Sequence, residues 1–316
     1  MSVRENRLHT LKENRNKHYY KKKRTITIVV ARSLLLGYSM KRILLGGIWL
    51  CATLSLWACK QDSIRVEKWL KEAVSIPKDS CRTLHFAQLM LGTPYVAGTL
   101  DGNEKEELVV DLDKVDCTTF VEIVLALTVA DQENKREYAD FQEILKQIRY
   151  RGGVLDGYPS RLHYFSDWIA DNERMGLVKE CTSESTCAQS QALWLDFMST
   201  HPDSYLPMKK DPSLIREIAN QEKAWQGVSV SYIPKDKLHL SSEDLKIKNG
   251  DILAITTHIK GLDVVHVGFA IWKGEKLHLL HASSNAMKVI EDPQSLYEYS
   301  KNKKAHTGVR AIRIMD

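Results

Sequence analysis

One cysteine and two histidines occur in surroundings that suit nucleophilic catalysis. Cys117 opens an apolar run of helical length, residues 117–130, directly after Asp116. The first turn of a helix lies at the positive end of the helix dipole, which favours the thiolate form of a cysteine placed there. Far downstream, His266 and His281 fall in two successive strand-like runs. We therefore expect Cys117 to be the nucleophile, His266 its acid–base partner and His281 the group that orients His266.

Cysteine and histidine in this pattern have two other common roles. A lone cysteine in an apolar helix is commonly an inert core residue, but the two matched histidines favour catalysis. The same side chains also bind zinc, yet the sequence has no close-set His-x-x-x-His or Cys-x-x-Cys pair. We therefore expect no metal and no cofactor.

The elements that must position these residues fall into two parts. Apolar spacing predicts helices over residues 63–75, 80–91, 117–130, 133–150, 162–174, 189–200 and 212–225, with Asp116 as the N-cap of the third. After Gly227, short β-rich runs separated by turn residues predict strands over 228–233, 251–257, 264–272, 276–282, 287–290 and 309–314. Helices followed by an antiparallel sheet indicate an α+β fold.

An ordered set of short motifs resembles a known superfamily. Residues 92–98 (Gly-Thr-Pro-Tyr-Val-Ala-Gly), 116–120, 249–252, 266–268 and 280–282 follow in the order of the NlpC-type, papain-like cell-wall cysteine peptidases. With residues 157–164, the chain after residue 58 more closely resembles a lipoprotein branch of N-acetylmuramoyl-L-alanine amidases. The resemblance implies a papain-like antiparallel sheet packed on the nucleophile helix, and cleavage of the amide between N-acetylmuramic acid and L-alanine in peptidoglycan fragments.

The resemblance also implies supporting residues. Tyr95 would help to stabilise the oxyanion and Asp116 would support the nucleophile. Tyr158, Ser160 and Arg161 would bind substrate, although this segment could equally pack only its own loop.

The sequence departs from the superfamily in three places. Thr118 and Thr119 replace the common Ser-Gly after the nucleophile and would narrow the site. Residues 131–245 form a long, mostly helical insertion that we expect to wall the site and select small fragments. Finally, His278 competes with His281 for the third catalytic position. Alternation places the two on opposite faces of a strand; the match at 280–282 favours His281, with His278 a solvated edge histidine.

The same residues are compatible with two further functions. One is an endopeptidase that cuts after D-glutamate in the stem peptide. The other is a non-catalytic envelope lipoprotein that binds muropeptides. The sugar form and the fragment length of the substrate do not follow from the sequence.

Residues 41–59 have the pattern expected of a targeting signal. Lys41 and Arg42 precede an apolar stretch, residues 43–58, that is short for a membrane span and ends in Leu-Trp-Ala before Cys59. This pattern resembles a bacterial lipobox, so we expect residues 1–39 to be an unstructured upstream extension, 40–58 a lipoprotein signal peptide, and 59–316 one domain. Cys59 would carry a lipid that holds a monomer at the membrane, facing the periplasm.

The charge distribution argues against nucleic acid as a partner. The chain has 45 Lys and Arg against 40 Asp and Glu, but 12 of the basic and only two of the acidic residues lie in residues 1–58. Residues 59–316 therefore carry a net charge of −5. In the same oxidising compartment Cys181 and Cys187 could close a disulfide or stay as free thiols.

Metabolic labelling tests the lipid anchor. The wild type should incorporate a labelled fatty acid and Cys59→Ala should not, because residues 43–59 offer no other acceptor at the cleavage point. Cys51→Ala, which alters a cysteine inside the signal peptide, is the control and should label normally. Equal labelling of the Cys59→Ala variant would contradict the anchor.

Overall fold

Helices precede the sheet in the part of the chain that the computed structural model describes, residues 61–77 and 80–315. The first five are α1 (61–73), α2 (Arg82–Leu89), α3 (Cys117–Gln132), α4 (Tyr138–Arg149) and α5 (Phe165–Arg174). They lie within or close to the first five predicted helices. The predicted signal peptide and Cys59 fall outside the described residues. Within the described residues, no helix has the length and apolar character that a membrane crossing requires.

Helix α3 is almost continuously apolar because neighbours cover it on every side. Every residue from Thr119 to Asp131 is buried. Helices α2 and α4 pack on it, and strand β5 (Val264–Lys273) passes beneath it. Phe120 of α3 meets Phe269 of β5 edge to face, with ring centres 5.5 Å apart. This burial fixes the helix that begins with Cys117, since well-packed apolar surface stabilises strongly.

The segment from 131 to 245 is less helical than predicted. It contains α6 (Phe197–Thr200), α7 (Leu206–Lys210), α8 (Ser213–Lys223) and α9 (Ser242–Leu245), but also strands β1 (Val178–Glu180), β2 (Gln189–Ala192) and β3 (Ser229–Pro234). The predicted helix over 189–200 was wrong. Residues 189–192 pair with β3 instead, and within 189–200 only Phe197–Thr200 form a helical turn. Pairing with a neighbouring strand outweighs the weak local helical preference.

Neighbouring strands of the sheet are antiparallel, which confirms the predicted combination of helices with an antiparallel sheet. Its remaining strands are β4 (Ile252–Thr257), β6 (Lys276–Ser283), β7 (Lys288–Ser295) and β8 (His306–Ile314), with helix α10 (Leu296–Lys301) between β7 and β8. The strand order is β2-β3-β8-β4-β5-β6-β7, and β1 also pairs with β8. Strand β7 is longer than the predicted 287–290 and extends past Asp292, which proves important for the site.

The sheet carries a different apolar core on each face. One face, with Val267, Phe269 and Leu280, packs under helices α1 to α5. The other face, with Leu253 and Leu279, is covered partly by α10. Successive residues of a strand point to opposite faces of the sheet. Strands β5 and β6 can therefore place polar side chains at the edge of one core while the neighbouring residues pack into the other core.

Two buried arginines fasten the irregular segment 99–111 to the helices. Arg149 Nε donates to Glu122 Oε2 at 2.7 Å, and its Nη1 donates to the Val109 carbonyl at 2.6 Å. Arg161 forms a two-point pair with Glu106 at 2.8 and 2.7 Å. Removing one partner of such a buried pair leaves an uncompensated charge, so these contacts hold the segment in one place.

Candidate active site

Cys117 is the first residue of α3, held there by a complete capping box. The Asp116 carboxylate accepts from the Thr119 backbone N–H at 2.8 Å, and the Asp116 N–H donates to Thr119 Oγ1 at 2.9 Å. This reciprocal pairing satisfies two backbone donors that a helix start would otherwise leave free. Asp116 therefore fixes the start of the helix at which Cys117 lies. Thr119, expected to narrow the site, serves in the cap.

The Cys117 thiol lies against a part of β5 that precedes its pairing with β6. Ala270 N–H donates to the Asp251 carbonyl on the β4 side, so alternation directs the Val267 N–H to the opposite edge of β5. The register between β5 and β6 runs from Phe269↔Leu280 to Lys273↔Lys276. Val267 lies before that register begins, and its backbone N–H hydrogen-bonds the Cys117 thiol. The thiol thus sits against β5 next to His266.

A β-bulge aims His266. Ile255 of β4 faces His266, but the next residue, Thr256, faces Val264, so Val265 is the extra residue. The bulge leaves both Val264 and Val267 against the helix-covered core, with His266 on the opposite side. There His266 Nε2 lies 2.5 Å from His281 Nδ1, with the two rings nearly perpendicular.

Gly268 explains the spacing of the His-Val-Gly motif. A Cβ at this position would lie 2.8 Å from both His281 Cβ and the Leu280 carbonyl oxygen. Any side chain there would push β5 away from β6. The glycine therefore permits the close approach that joins the two histidines.

Asp292 extends the pair into a buried chain that the sequence did not reveal. Its Oδ2 lies 3.3 Å from His281 Nε2, and its Oδ1 accepts from the Gln294 N–H at 2.9 Å. His281 is fully buried and Asp292 nearly so. The chain thus runs from His266 through His281 to Asp292. A signal was present: Asp292 lies one strand beyond His281, but its strand was predicted to end at residue 290.

His278 lies elsewhere. It is buried rather than solvated, and its Nδ1 contacts the Asp292 backbone carbonyl at 3.0 Å. The structure therefore brings His281, and not His278, to His266. His278 instead braces β6 against β7.

Burial keeps the reacting pair uncharged at neutral pH. Burial, together with the negative charge of Asp116, raises the pKa of Cys117 to about 11. Burial, followed by the positive charges of His281 and Lys303, lowers the pKa of His266 to about 3. The expectation that the helix terminus favours the thiolate is not met, because burial raises the pKa of the Cys117 thiol by more than the helix terminus lowers it.

Two tyrosines flank the thiol. Tyr95 is half-buried, and its pKa is raised by burial and by the charges of Cys117 and Asp116. Its backbone N–H donates to the Met287 carbonyl, and it bridges in parallel with Val115, two residues before Cys117. Tyr299 of α10 is also close, with its pKa raised to about 12 by burial and then by the charges of Asp292 and Cys117.

The predicted substrate residues have internal partners. Arg161 is buried, and besides Glu106 it bonds Asp101 at 2.8 Å. Ser160 Oγ donates to the Gly157 carbonyl and accepts from the Asp156 N–H, which closes a turn. Tyr158 and Arg161 do line a cavity of about 410 Å³ with the 100–106 segment and the start of α7. The Arg161 guanidinium is thus paired with carboxylates of the protein itself.

Other thiols and metal ligands do not extend the site. Cys181 and Cys187 are free cysteines, so the disulfide alternative is not formed. Across residues 61–77 and 80–315, no group of three or more His, Cys, Asp or Glu side chains is arranged to hold a metal ion.

Comparison with solved structures shows close similarity. A Bacteroides uniformis structure described as an N-acetylmuramoyl-L-alanine amidase is 39% identical, with a TM-score of 0.70, over 74% of this chain and 98% of that chain. A Bacteroides fragilis structure with a provisional xylanase name is 44% identical, with a TM-score of 0.69, over 73% of this chain and 100% of that chain. A Legionella pneumophila protein, 24% identical with a TM-score of 0.63 over 83% of this chain and 97% of that chain, shares the fold.

Among proteins of curated function, none matches the chain. The model of the AmiA-like family, described as N-acetylmuramoyl-L-alanine amidase-like, matches residues 85–309, which include Cys117, His266, His281 and Asp292. The chain belongs to this AmiA-like, N-acetylmuramoyl-L-alanine amidase-like family.

Proposed function

We propose that this protein is a cysteine-dependent amidase that cleaves the bond between N-acetylmuramic acid and L-alanine in peptidoglycan fragments. The observation that carries the proposal is the hydrogen-bonded His266–His281–Asp292 chain, buried at His281 and Asp292, near a thiol at a helix N-terminus. Family membership supplies the bond type, since the 39% identical relative bears the amidase name. We further propose that the arrangement is the NlpC-type, papain-like one.

The geometry supports a general-base mechanism. The neutral thiol of Cys117 would pass its proton to His266 as the sulfur attacks the lactyl carbonyl carbon. The imidazolium so formed is stabilised through His281 by the Asp292 carboxylate, as the orienting acid does in other triads. His266 would then give the proton to the leaving nitrogen of L-alanine. Water, deprotonated by His266, would attack the thioester and release the sugar acid with the thiol restored.

Hydrogen-bond donors near the thiol could stabilise the oxyanion. The Cys117 backbone N–H lies at the helix start and bonds the thiol in the resting protein. The Tyr95 hydroxyl lies close enough to sense the thiolate charge. Such donors typically each contribute about 3 kcal/mol to transition-state stabilisation.

A glycosidase is disfavoured despite the xylanase name of one relative. Most glycosidases need two carboxylates that flank the sugar bond. Here Asp292 is buried against His281, and Asp116 is used by the helix cap. Neither is placed for that chemistry. A stem-peptide endopeptidase remains the second candidate, because the same thiol and histidines would serve it.

Location and partners are proposed on the sequence. The lipobox-like segment before Cys59 supports a lipid-anchored monomer that faces the periplasm and meets soluble muropeptides. Tyr158 and the internally paired Arg161 would act by shaping the cavity wall.

Removal of the nucleophile tests the reaction. Cys117→Ala should lower kcat/KM by at least about a thousandfold with little loss of stability, because the thiol carries the covalent step. Cys187→Ala, a half-buried cysteine elsewhere, is the matched control and should keep full activity. Mass analysis of products from a defined muropeptide should show an intact stem peptide freed from the sugar. A product cut after D-glutamate would instead establish the endopeptidase.

Asp292→Asn tests the extended chain. The amide keeps the shape but removes the charge that stabilises protonated His281 and His266, so kcat should fall tenfold or more while KM changes little. Glu291→Gln, on the adjacent residue that pairs with Lys273, is the control. Equal kcat for wild type and Asp292→Asn would contradict the assigned role, and thermal unfolding would separate it from a folding defect.

The pH dependence follows from the shifted pKa values. His266 must be neutral to accept the proton, and its pKa near 3 keeps it so down to low pH. Between pH 8 and 5, kcat/KM should therefore change less than about threefold, whereas a histidine with an ordinary pKa of about 6.5 would cause a loss of roughly thirtyfold at pH 5. Alkylation of Cys117 by iodoacetamide should be slow at pH 7 and accelerate toward pH 11. A steep acid limb near pH 6.5 would contradict the neutral resting pair.

A further inference from the structure

Lys303 lies beside the two histidines in a rigid turn. The Lys303 N–H donates to the Ser300 carbonyl, and the His306 N–H donates to the Lys303 carbonyl. Its Nζ lies 3.2 Å from the centre of the Tyr299 ring. That ring is 6.4 Å from the His266 ring and 5.6 Å from the His281 ring, centre to centre. The ammonium group is thus held by a cation–π contact next to the reacting pair.

The positive charge at this place is not neutralised. Lys235 Nζ donates to the Lys303 carbonyl at 3.0 Å, so a second cation lies nearby. Asp292 is the acid whose charge acts on Lys303, but its carboxylate is engaged by His281 and the Gln294 N–H. In the described part of the chain Lys303 forms no ion pair. A half-buried cation without an acid partner is well suited to a carboxylate brought by a ligand.

The position of Lys303 indicates which part of the substrate it would contact. In the proposed reaction, His266 gives its proton to the leaving nitrogen, so the departing peptide would lie on the side of His266. Lys303 is close to His266 and His281. It would therefore face the peptide.

We propose that Lys303, oriented by the Tyr299 ring, binds a carboxylate on the second residue of the leaving peptide. The inference rests on the proposed amidase function and deepens it. A residue that continues the chain through its side-chain carboxyl keeps its α-carboxylate free, two residues from the scissile bond. Lys303 thus selects peptides with that free acid over peptides in which it is amidated.

Two muropeptides that differ only at this group test the inference. Wild-type kcat/KM should be about tenfold higher for the free acid than for the carboxamide, the size expected of one partly desolvated charge pair. Lys303→Met should lower the rate on the acid about tenfold, barely change the rate on the amide, and abolish the preference. Lys304→Met, which removes an exposed neighbouring lysine, should keep the preference, and Lys303→Arg should largely restore it.

The outcomes separate this inference from the proposed function. If the wild type frees no peptide from the sugar, the amidase function fails, and calorimetric binding of the free acid and amidated peptides to wild type and Lys303→Met still decides the role of Lys303. If the wild type cuts both substrates equally, or the preference survives Lys303→Met, the carboxylate site is overturned. Equal losses on both substrates with a shifted pH profile would show that Lys303 acts only on the pKa of His266, which also overturns it.

Discussion

The contact between His266 and the fully buried His281 is the constraint on which the site depends. Two imidazoles within 2.5 Å cannot both be charged, and burial lowers the pKa of each, to about 3 and about 4. The fold must therefore supply one compensating charge for the moment when a proton arrives. Asp292 is that charge, placed at the far end of the chain, where it raises the pKa of His281 without reaching the thiol.

Several local devices serve this contact. The bulge at Val265 turns His266 away from the helix-covered core, and Gly268 allows β6 to approach. The capping box at Asp116 fixes the start of α3, while burial fixes its axis. Because the thiol is held by the helix and the imidazoles by the sheet, the apolar core between α3 and β5 sets their separation. Catalytic alignment is in this sense a result of core packing.

The sequence predicted the parts of the site that local pattern controls. The helix start at Asp116, the alternation that separates His278 from His281, and the strands after residue 227 all follow from residue spacing. Asp292 could not be predicted, because its role arises from the β6–β7 register, which has a shift between His278 and Leu280. The length of β7 and the β2 pairing depend likewise on neighbouring strands. The partners of Arg161 lie in a segment without regular structure, where the sequence has no helical or strand periodicity from which these contacts could be predicted.

The pKa values show why burial and reactivity do not conflict here. Burial raises the pKa of the Cys117 thiol, so the cysteine stays mostly in its neutral, less nucleophilic form. Burial also lowers the pKa of His266, the proposed base. The thiol and the imidazole therefore remain a neutral pair, and burying a neutral pair costs less free energy than burying a thiolate and an imidazolium. In the proposed mechanism, charge separates only as the sulfur attacks, when the helix N-terminus, Tyr95 and Asp292 are already in position. Preorganised dipoles favour such a charge-separated state over the neutral one, so in the proposed mechanism the burial that suppresses the free thiolate would also confine reactivity to a bound substrate.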